Sequence, residues 1–337
     1  MNVEELLRQI QLTFECRKDW FDPQHWSAFR LFNGFIEGFP DIAVDLYART
    51  LVLYNFAKPP DAIQDQIETI IRFYCDHLPW IQAVIVKIRH TTVLSERHGI
   101  LLRGEKPDTR TREHGIWYAL DLQMSSDASL YLDTRELRAW IKRNARGLRV
   151  LNTFTYTGSL GVASTAGGAR QVIHLDRNRK FLNLAKTSYS LNGFPINRAD
   201  FVCEDFFRWT SRMRRARQRF DLVILDPPFF SLTSAGRVDL NKEYDRLINK
   251  ARPLVESGGI LIVINNALYV SGSSFIRQLE TLCQDGYMTI EELIPIPPDF
   301  AGFPETRIGT FPTDPAPFNH PTKIAVLRIR SFPPTKV

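Results

Sequence analysis

Apolar residues are spaced differently in the two parts of this chain, and the change falls near residue 122. Residues 1–20 carry Val3, Leu6, Leu7 and Ile10 at helical intervals, which predicts a helical leader. Runs rich in β-branched and aromatic residues follow at 29–35, 42–45, 50–56, 83–88, 92–94 and 116–122, each of strand length. Between them, 61–74 reads as an amphipathic helix with Asp61 near its start. Residues 103–113, with Gly104, Pro107 and many charges, read as an exposed loop. Together these elements predict a small β-rich α+β accessory domain over 21–122.

From 123 to 337 the pattern becomes strand and helix in alternation. Apolar runs at 149–154, 171–176, 201–203, 220–225 and 259–265 are interleaved with helical stretches, among them 179–191 and an arginine-rich segment at 208–219. Runs at 289–294 and 323–329 supply a closing antiparallel pair. Such alternation predicts an α/β domain built on a doubly wound, mostly parallel, Rossmann-like sheet. Ligands of such sheets sit at the carboxyl ends of the strands, near the point where strand order reverses.

Chemistry-bearing residues gather at those ends. The run ending at Leu225 is stopped by Asp226-Pro227-Pro228-Phe229-Phe230. Each proline fixes φ and removes an N–H, so the chain leaves the strand as a stiff platform presenting an acid, free carbonyls and a ring. It reads either as a mere strand exit or as a seat for a planar ligand, stacked and bonded at its edge. The first strand leads into Thr155-Tyr156-Thr157-Gly158-Ser159-Leu160-Gly161, where Gly158 allows close backbone approach and a helix start offers N–H groups. The turn lacks the G-x-G-x-x-G spacing of a dinucleotide site. The second strand ends at Asp176, suited to the hydroxyls of a ribose, and the third at Glu204-Asp205, suited to an exocyclic amino group. Each acid alone also serves as a helix cap; as a set they describe a nucleoside cleft.

Composition narrows the class. At 337 residues, 44% hydrophobic and 24% charged, the chain is an ordinary globular protein of about two domains. No apolar run is long enough to span a bilayer, and the acidic start is unlike a signal peptide. The cysteines Cys16, Cys75, Cys203 and Cys283 lack paired spacing, which disfavours a metal module or disulfide framework and predicts a cytoplasmic protein without metal. A net charge of +6 raises the odds of a polyanionic partner, and the 208–219 run reads either as a phosphate contact or as a solvated helix face. A homodimer is compatible with all of this.

Asp226-Pro227-Pro228-Phe229 and the turn from Phe154 to Gly161 resemble the class I S-adenosylmethionine-dependent methyltransferases. Leu130-Tyr131-Leu132-Asp133-Thr134-Arg135-Glu136-Leu137-Arg138 is similar to the aromatic-x-Asp-x-Arg-x-x-Arg element of bacterial 23S ribosomal RNA methyltransferases, a group with cytosine-5 and guanine-N7 members. Arg30-Leu31-Phe32-Asn33-Gly34, the stretch Gly38 to Asp45, and Glu113-His114-Gly115 resemble further motifs of that family, with His114 where the family has Asn. The resemblance covers residues 28–330 and implies a seven-stranded methyltransferase domain with S-adenosyl-L-methionine as cofactor. It implies Asp176 at the ribose, Asp205 at the adenine and the Thr157-Gly158 turn around the methionine moiety, with Phe154, Tyr156, Arg177, Phe206 and Asp226 also in the cofactor site. It also implies Tyr131, Asp133 and Arg135 lining the same cleft, and Asp226, Pro227 and Phe229 facing the methyl acceptor.

The departures shape the expected chemistry. Cytosine-5 transfer needs a thiolate nucleophile, and where the cytosine-5 members have a cysteine this chain has Asn265-Asn266. Cys203 reads as a buried packing residue. The expectation is direct methylation of a base nitrogen, guanine N7 or an exocyclic amine, in ribosomal or other structured RNA, with Asn265 reading the base or capping a helix. Many family members carry a small RNA-binding module ahead of the first domain; here that task would fall to the β-rich domain and the 208–219 run. Trp80 and Trp117 read as core or as stacking residues, and His320 as structural or as a general base. The rivals are a small-molecule or protein acceptor, and a non-catalytic RNA-assembly factor on the same fold.

Overall fold

A computed structural model describes residues 3–309 and 317–330. The chain forms two compact units, residues 1–132 with 297–311, and residues 133–296 with 312–337. The contacts thus divide the chain between Leu132 and Asp133, and the leader helix belongs to the first unit. Residues 331–337, placed in the second domain by sequence, lie outside the described residues.

In the first unit, strands β1 (Ala28–Asn33), β2 (Ile42–Tyr47), β3 (Thr50–Asn55), β4 (Ala83–Ile88) and β5 (Ile100–Arg103) form one sheet in that order. Only β3 and β4 pair in parallel, joined over the helix Gln64–His77. The expected strand at 92–94 is absent: Leu94–His98 is a short helix and β5 follows it. The expected loop at 103–113 is also corrected, because its second half is β6 (Arg110–Glu113), paired antiparallel with β7 (Ile116–Ala119). The two residues between them, His114 (φ 51°) and Gly115 (φ 81°), both take positive φ, as a type I′ hairpin turn requires. Histidine is among the few non-glycine residues enriched in that region, so His114-Gly115 suits the turn.

The helix Val3–Arg17 is anchored by a buried charge pair. Arg17 Nη2 donates to Glu37 Oε1 at 2.8 Å with both side chains wholly covered. Arg17 also donates to the carbonyls of Thr13 and Arg30, and Glu37 accepts from Asn33 N–H and Thr306 Oγ1. A buried pair in which each partner makes further hydrogen bonds offsets much of its desolvation cost, but removal of one partner strands the other.

The second unit holds the seven-stranded sheet. Its strands are β8 (Arg149–Thr153), β9 (Gln171–Asp176), β10 (Phe201–Cys203), β11 (Phe220–Leu225), β14 (Val255–Asn265), β15 (Met288–Ile294) and β16 (Lys323–Ile329); β12 (Phe230–Thr233) and β13 (Gly236–Asp239) form a separate hairpin. The order is β10-β9-β8-β11-β14-β16-β15, with the first five parallel and β16 antiparallel to both neighbours. This is the doubly wound, mostly parallel sheet that the alternation predicts. Strand order reverses between β8 and β11, whose registers align Thr153 with Leu225.

Glu37→Ala is expected to lower stability by about 3–5 kcal/mol, read as a fall in the denaturant midpoint, whereas replacing Arg17 and Glu37 together by apolar residues costs much less. Equal losses from the single and double changes would contradict this account.

Candidate functional site

Five strand ends of the second unit line up at the reversal point. Leu225 lies opposite both Thr153 and Val263, Leu175 opposite Thr153, and Cys203 opposite Asp176. The residues just beyond them therefore form one row, from Asp205 through Asp176, Phe154 and Asp226 to Asn265.

The turn after β8 is shaped by backbone geometry that the sequence hides. Phe154 and Tyr156 have φ of 51° and 50°, and Gly158 has φ of 83°. Two non-glycine residues in the left-handed region cost of order 1 kcal/mol each and persist where their surroundings hold them. Phe154 packs on Phe206 at 4.7 Å between centroids, Tyr156 meets Phe181 edge-on, and Tyr156 N–H donates to Asp176 Oδ2 at 2.9 Å. Gly158 is needed for more than close approach to a ligand: a Cβ there would lie 2.5 Å from Ala185 Cβ. At Gly161 a Cβ would lie 2.2 Å from the His174 ring. Thr157 is buried and the helix Ser159–Ala166 starts just after Gly158.

Beneath this turn runs a buried polar chain that sequence reasoning missed. Asn152 donates to Thr155 Oγ1, which bonds His174 Nδ1 at 3.1 Å; His174 Nε2 meets Tyr189 Oη at 3.0 Å, and Tyr189 meets Thr165 Oγ1 at 2.6 Å. Burial pushes the His174 pKa down to about 3, so the ring is neutral and serves as a hydrogen-bond relay that fixes the turn. The available signal was two polar residues inside buried apolar strands: Asn152 and His174 are register partners.

The acids differ in what they have left to offer. Asp176 accepts from Tyr156 N–H and, at 2.8 Å, from Asn178 N–H; burial raises its pKa while backbone donors oppose the rise. The carboxylate keeps acceptor capacity for a ligand hydroxyl. Asp205 is the N-cap of the helix Phe206–Arg215, its Oδ1 accepting from Phe207 and Arg208 N–H, so the capping alternative holds for that oxygen. Its Oδ2 is buried without a partner. A buried carboxylate oxygen left bare is costly, and a ligand's amino group would satisfy it. Arg177 is exposed, its guanidinium near the Leu232 carbonyl.

Asp226 is only partly exposed, and loss of surrounding water, then the negative charge of Asp133, push its pKa up to about 7. Asp133 accepts from Thr322 Oγ1 at 2.6 Å. His320 Nδ1 lies 4.0 Å from Asp133 but accepts Thr322 N–H at 3.1 Å. An accepting Nδ1 carries no proton, so this bond supports the structural reading of His320 rather than an ion pair. Arg135 is half-buried at the start of the helix Arg135–Asn144, while Arg138 is fully buried and bonds Thr134 Oγ1, which rules out an exposed helix face for Arg138. Tyr131 belongs to the first unit, exposed, with its hydroxyl donating to Asp127.

Beyond Asp226, Pro227 is buried and Phe229 is exposed, leading into the β12–β13 hairpin. Asn265 is fully buried: Oδ1 accepts Ala267 N–H at 2.9 Å, while Nδ2 has no partner. It is a turn-former with one donor to spare, not a helix cap; that role belongs to Ser271. Lys323, opposite Asn265 on β16, binds the carbonyls of Ala267, Val270 and Pro321 and holds this exit in place. Cys203 is half-exposed rather than buried, its thiol donating to the Arg177 carbonyl. Among the described residues no cluster of His, Cys, Asp and Glu is placed to hold a metal, and no helix is long and apolar enough to cross a membrane.

Against known proteins, residues 31–306 match the family model of S-adenosylmethionine-dependent methyltransferases. The ribosomal RNA large subunit methyltransferase I of Aeromonas salmonicida is 27% identical over 264 residues, 78% of this chain and 66% of that one. Its namesake in Alteromonas mediterranea is 28% identical over 286 residues, covering 85% and 72%. The chain thus spans about two thirds of the length of the first relative. A protein assigned as a methyltransferase and crystallised with S-adenosylhomocysteine shares the fold with a TM-score of 0.82 at 22% identity, over 98% of this chain and 82% of that one.

Asp226 gives a pH test. Its folded pKa lies above the unfolded value, so folding takes up a proton between pH ~4 and ~7 and stability falls as pH rises through that window. Asp226→Asn is expected to be more stable than the wild type above pH 7 by roughly 1–3 kcal/mol, after allowance for partial exposure, with the gain vanishing near pH ~4. Thermal unfolding across pH measures it; a destabilised variant at pH 8 would refute the crowding.

Proposed function

Since the chain belongs to the family of S-adenosylmethionine-dependent methyltransferases, we propose that it methylates a base nitrogen, guanine N7 or an exocyclic amine, in structured RNA and foremost in ribosomal RNA. Its cofactor is S-adenosylmethionine. The residues present fit that group: a bare buried acceptor at Asp205 for an amino group, a diol-binding acid at Asp176, and a crowded pair of carboxylates, Asp226 and Asp133, where positive charge is welcome. When bound, the cofactor supplies a methyl group on a positively charged sulfur that leaves as a neutral thioether.

One observation carries the choice of nitrogen. β14 ends on Asn265, and Cys203 stands at the end of β10, three strands from β11. At ~4.8 Å per strand the thiol is roughly 14 Å from the Asp226 platform, beyond reach of a base seated there. Without a thiolate adduct, carbon-5 of a pyrimidine is too poor a nucleophile, whereas a ring or amine nitrogen brings its own lone pair. The protein's part is then alignment. Phe229 offers a face for an extruded base, Pro227 a carbonyl with no competing N–H of its own, and ionised Asp226 an acceptor for amine hydrogens. The RNA assignment also draws on relatives named as ribosomal RNA methyltransferases.

Two measurements test this. Asp205→Asn keeps the capping oxygen but turns the bare acceptor into a donor; it is expected to weaken S-adenosylhomocysteine binding about 10-fold or more by calorimetry while leaving stability nearly intact, since one buried amino contact to a charged acceptor is worth ~1.5–3 kcal/mol. Unchanged affinity would remove the adenine role of Asp205. Radiolabelled methyl transfer into total RNA from a strain lacking the gene, compared with wild-type RNA, is expected to label only the former, with the label recovered as an N-methylated base. Label on carbon-5, on protein or on a small molecule would overturn the proposal.

A further inference from the structure

The first unit carries an interleaved cluster of indoles and guanidinium groups on the outer face of the β6–β7 hairpin. Trp26 and Trp117 pack edge to face at 5.0 Å between ring centroids. The Arg110 guanidinium lies over both rings, at 5.0 and 4.8 Å, while Arg49 lies over Trp26 at 5.4 Å and Arg112 over Trp117 at 5.6 Å. The hairpin builds this by period two: Arg110 and Arg112 fall on the exposed face of β6, Thr111 and Glu113 on the buried face, and Arg112 stands directly across from Trp117. Arg112 N–H and Thr111 Oγ1 both donate to the Trp26 carbonyl, at 2.8 and 2.5 Å, which pins the second indole to the strand.

The charges in this cluster are not balanced. Arg49 is paired with Asp108 at 2.9 Å, but neither Arg110 nor Arg112 has a carboxylate partner among the described residues. Both tryptophans are half-exposed. A guanidinium resting on an indole still has N–H groups for phosphate oxygens, and the exposed parts of the partly covered indoles can meet a base. A surface that combines unpaired cations with stacked rings suits single-stranded nucleic acid, whose every residue brings one phosphate and one π-face. A purely structural cation–π cluster would gain by neutralising its outer cations, and this one leaves two bare.

We propose that the Trp26–Trp117–Arg110–Arg112 surface binds a single-stranded segment of the RNA substrate. This rests on the reading of the protein as an RNA methyltransferase and adds where, on the first unit, that RNA is gripped. The surface carries no sequence readout; it contributes affinity and salt dependence.

The test uses the full chain and a fluorescein-labelled single-stranded RNA of about 12 nucleotides, a length that one such surface can span. Fluorescence anisotropy is recorded across salt concentrations for the wild type, Arg110→Gln/Arg112→Gln, Trp117→Phe, and a control of equal charge loss, Arg72→Gln/Arg97→Gln, both exposed on other elements of the same unit. Loss of two phosphate contacts is expected to reduce the slope of log affinity against log salt by about 1.4 and to weaken binding roughly 10- to 100-fold at physiological salt, with the control near wild type. Trp117→Phe is expected to weaken binding without changing the slope. S-adenosylhomocysteine affinity, unchanged in every variant, certifies the fold. An Arg110→Gln/Arg112→Gln variant that binds RNA as tightly as the wild type, or a control that loses as much, overturns the inference while leaving the methyltransferase reading intact. A wild type that neither binds nor methylates RNA overturns both.

Discussion

The register of β11 between β8 and β14 is the constraint on which the site depends. Leu225 faces Thr153 on one side and Val263 on the other, so β8 and β11 end at one level and β14 runs two residues further, to Asn265. A slip by one residue would turn Asp226 to the opposite face of the sheet, because side chains alternate with a period of two. The prolines at 227 and 228 end the ladder there, since neither can donate to a neighbour. Strand order reverses at that same place, and the connections leaving β8 and β11 part in opposite directions to open the cleft.

That geometry holds Asp226 where water is scarce and another carboxylate is near. The arrangement works against stability, as crowding of like charge in a low-dielectric setting does. The bare Oδ2 of Asp205 and the positive φ angles of Phe154 and Tyr156 are costs of the same kind, all at the strand ends. Under the proposed assignment a methyl donor with an adenosine body would relieve two of these costs, by positive charge near Asp226 and Asp133 and by an amino group at Asp205. Unliganded strain concentrated at one edge of an otherwise well-satisfied sheet is the mark of a site shaped for its ligand rather than for the fold.

What could be read in the sequence divides along physical lines. Strands buried on both faces announce themselves as continuous apolar runs, and an acid that ends such a run marks the carboxyl edge, so the parallel sheet and Asp176, Asp205 and Asp226 were legible. The β12–β13 hairpin was not, because its alternation is inverted: Phe230 and Leu232 are exposed while Ser231 and Thr233 are half-buried. Residues 92–94 are Thr92, Val93 and Leu94, the first two β-branched and good strand formers, but tertiary context placed a helix at Leu94–His98. The bent turn of Phe154 and Tyr156 escaped notice because aromatic residues seldom take positive φ, and what holds them there, packing on Phe206 and Phe181 and the bond to Asp176 above the network from Asn152 to Thr165, is tertiary.

Charge shows the same divide. The arginine-rich stretch at 208–219 is the densest basic run in the sequence, yet in the helix Phe206–Arg215 Arg212 is clamped to Glu204 by two bonds of 2.9 and 2.7 Å, and Arg208 reaches Ser234. Those side chains are partly spent on the fold. Arg110 and Arg112 are only two residues in a segment that reads as a charged loop, but the hairpin sets them on one face, backs them with indoles and leaves them without acids. Phosphate binding requires cations whose hydrogen-bonding edges are still available. Density of arginine along the chain is therefore a poorer guide to a polyanion site than what each guanidinium already touches.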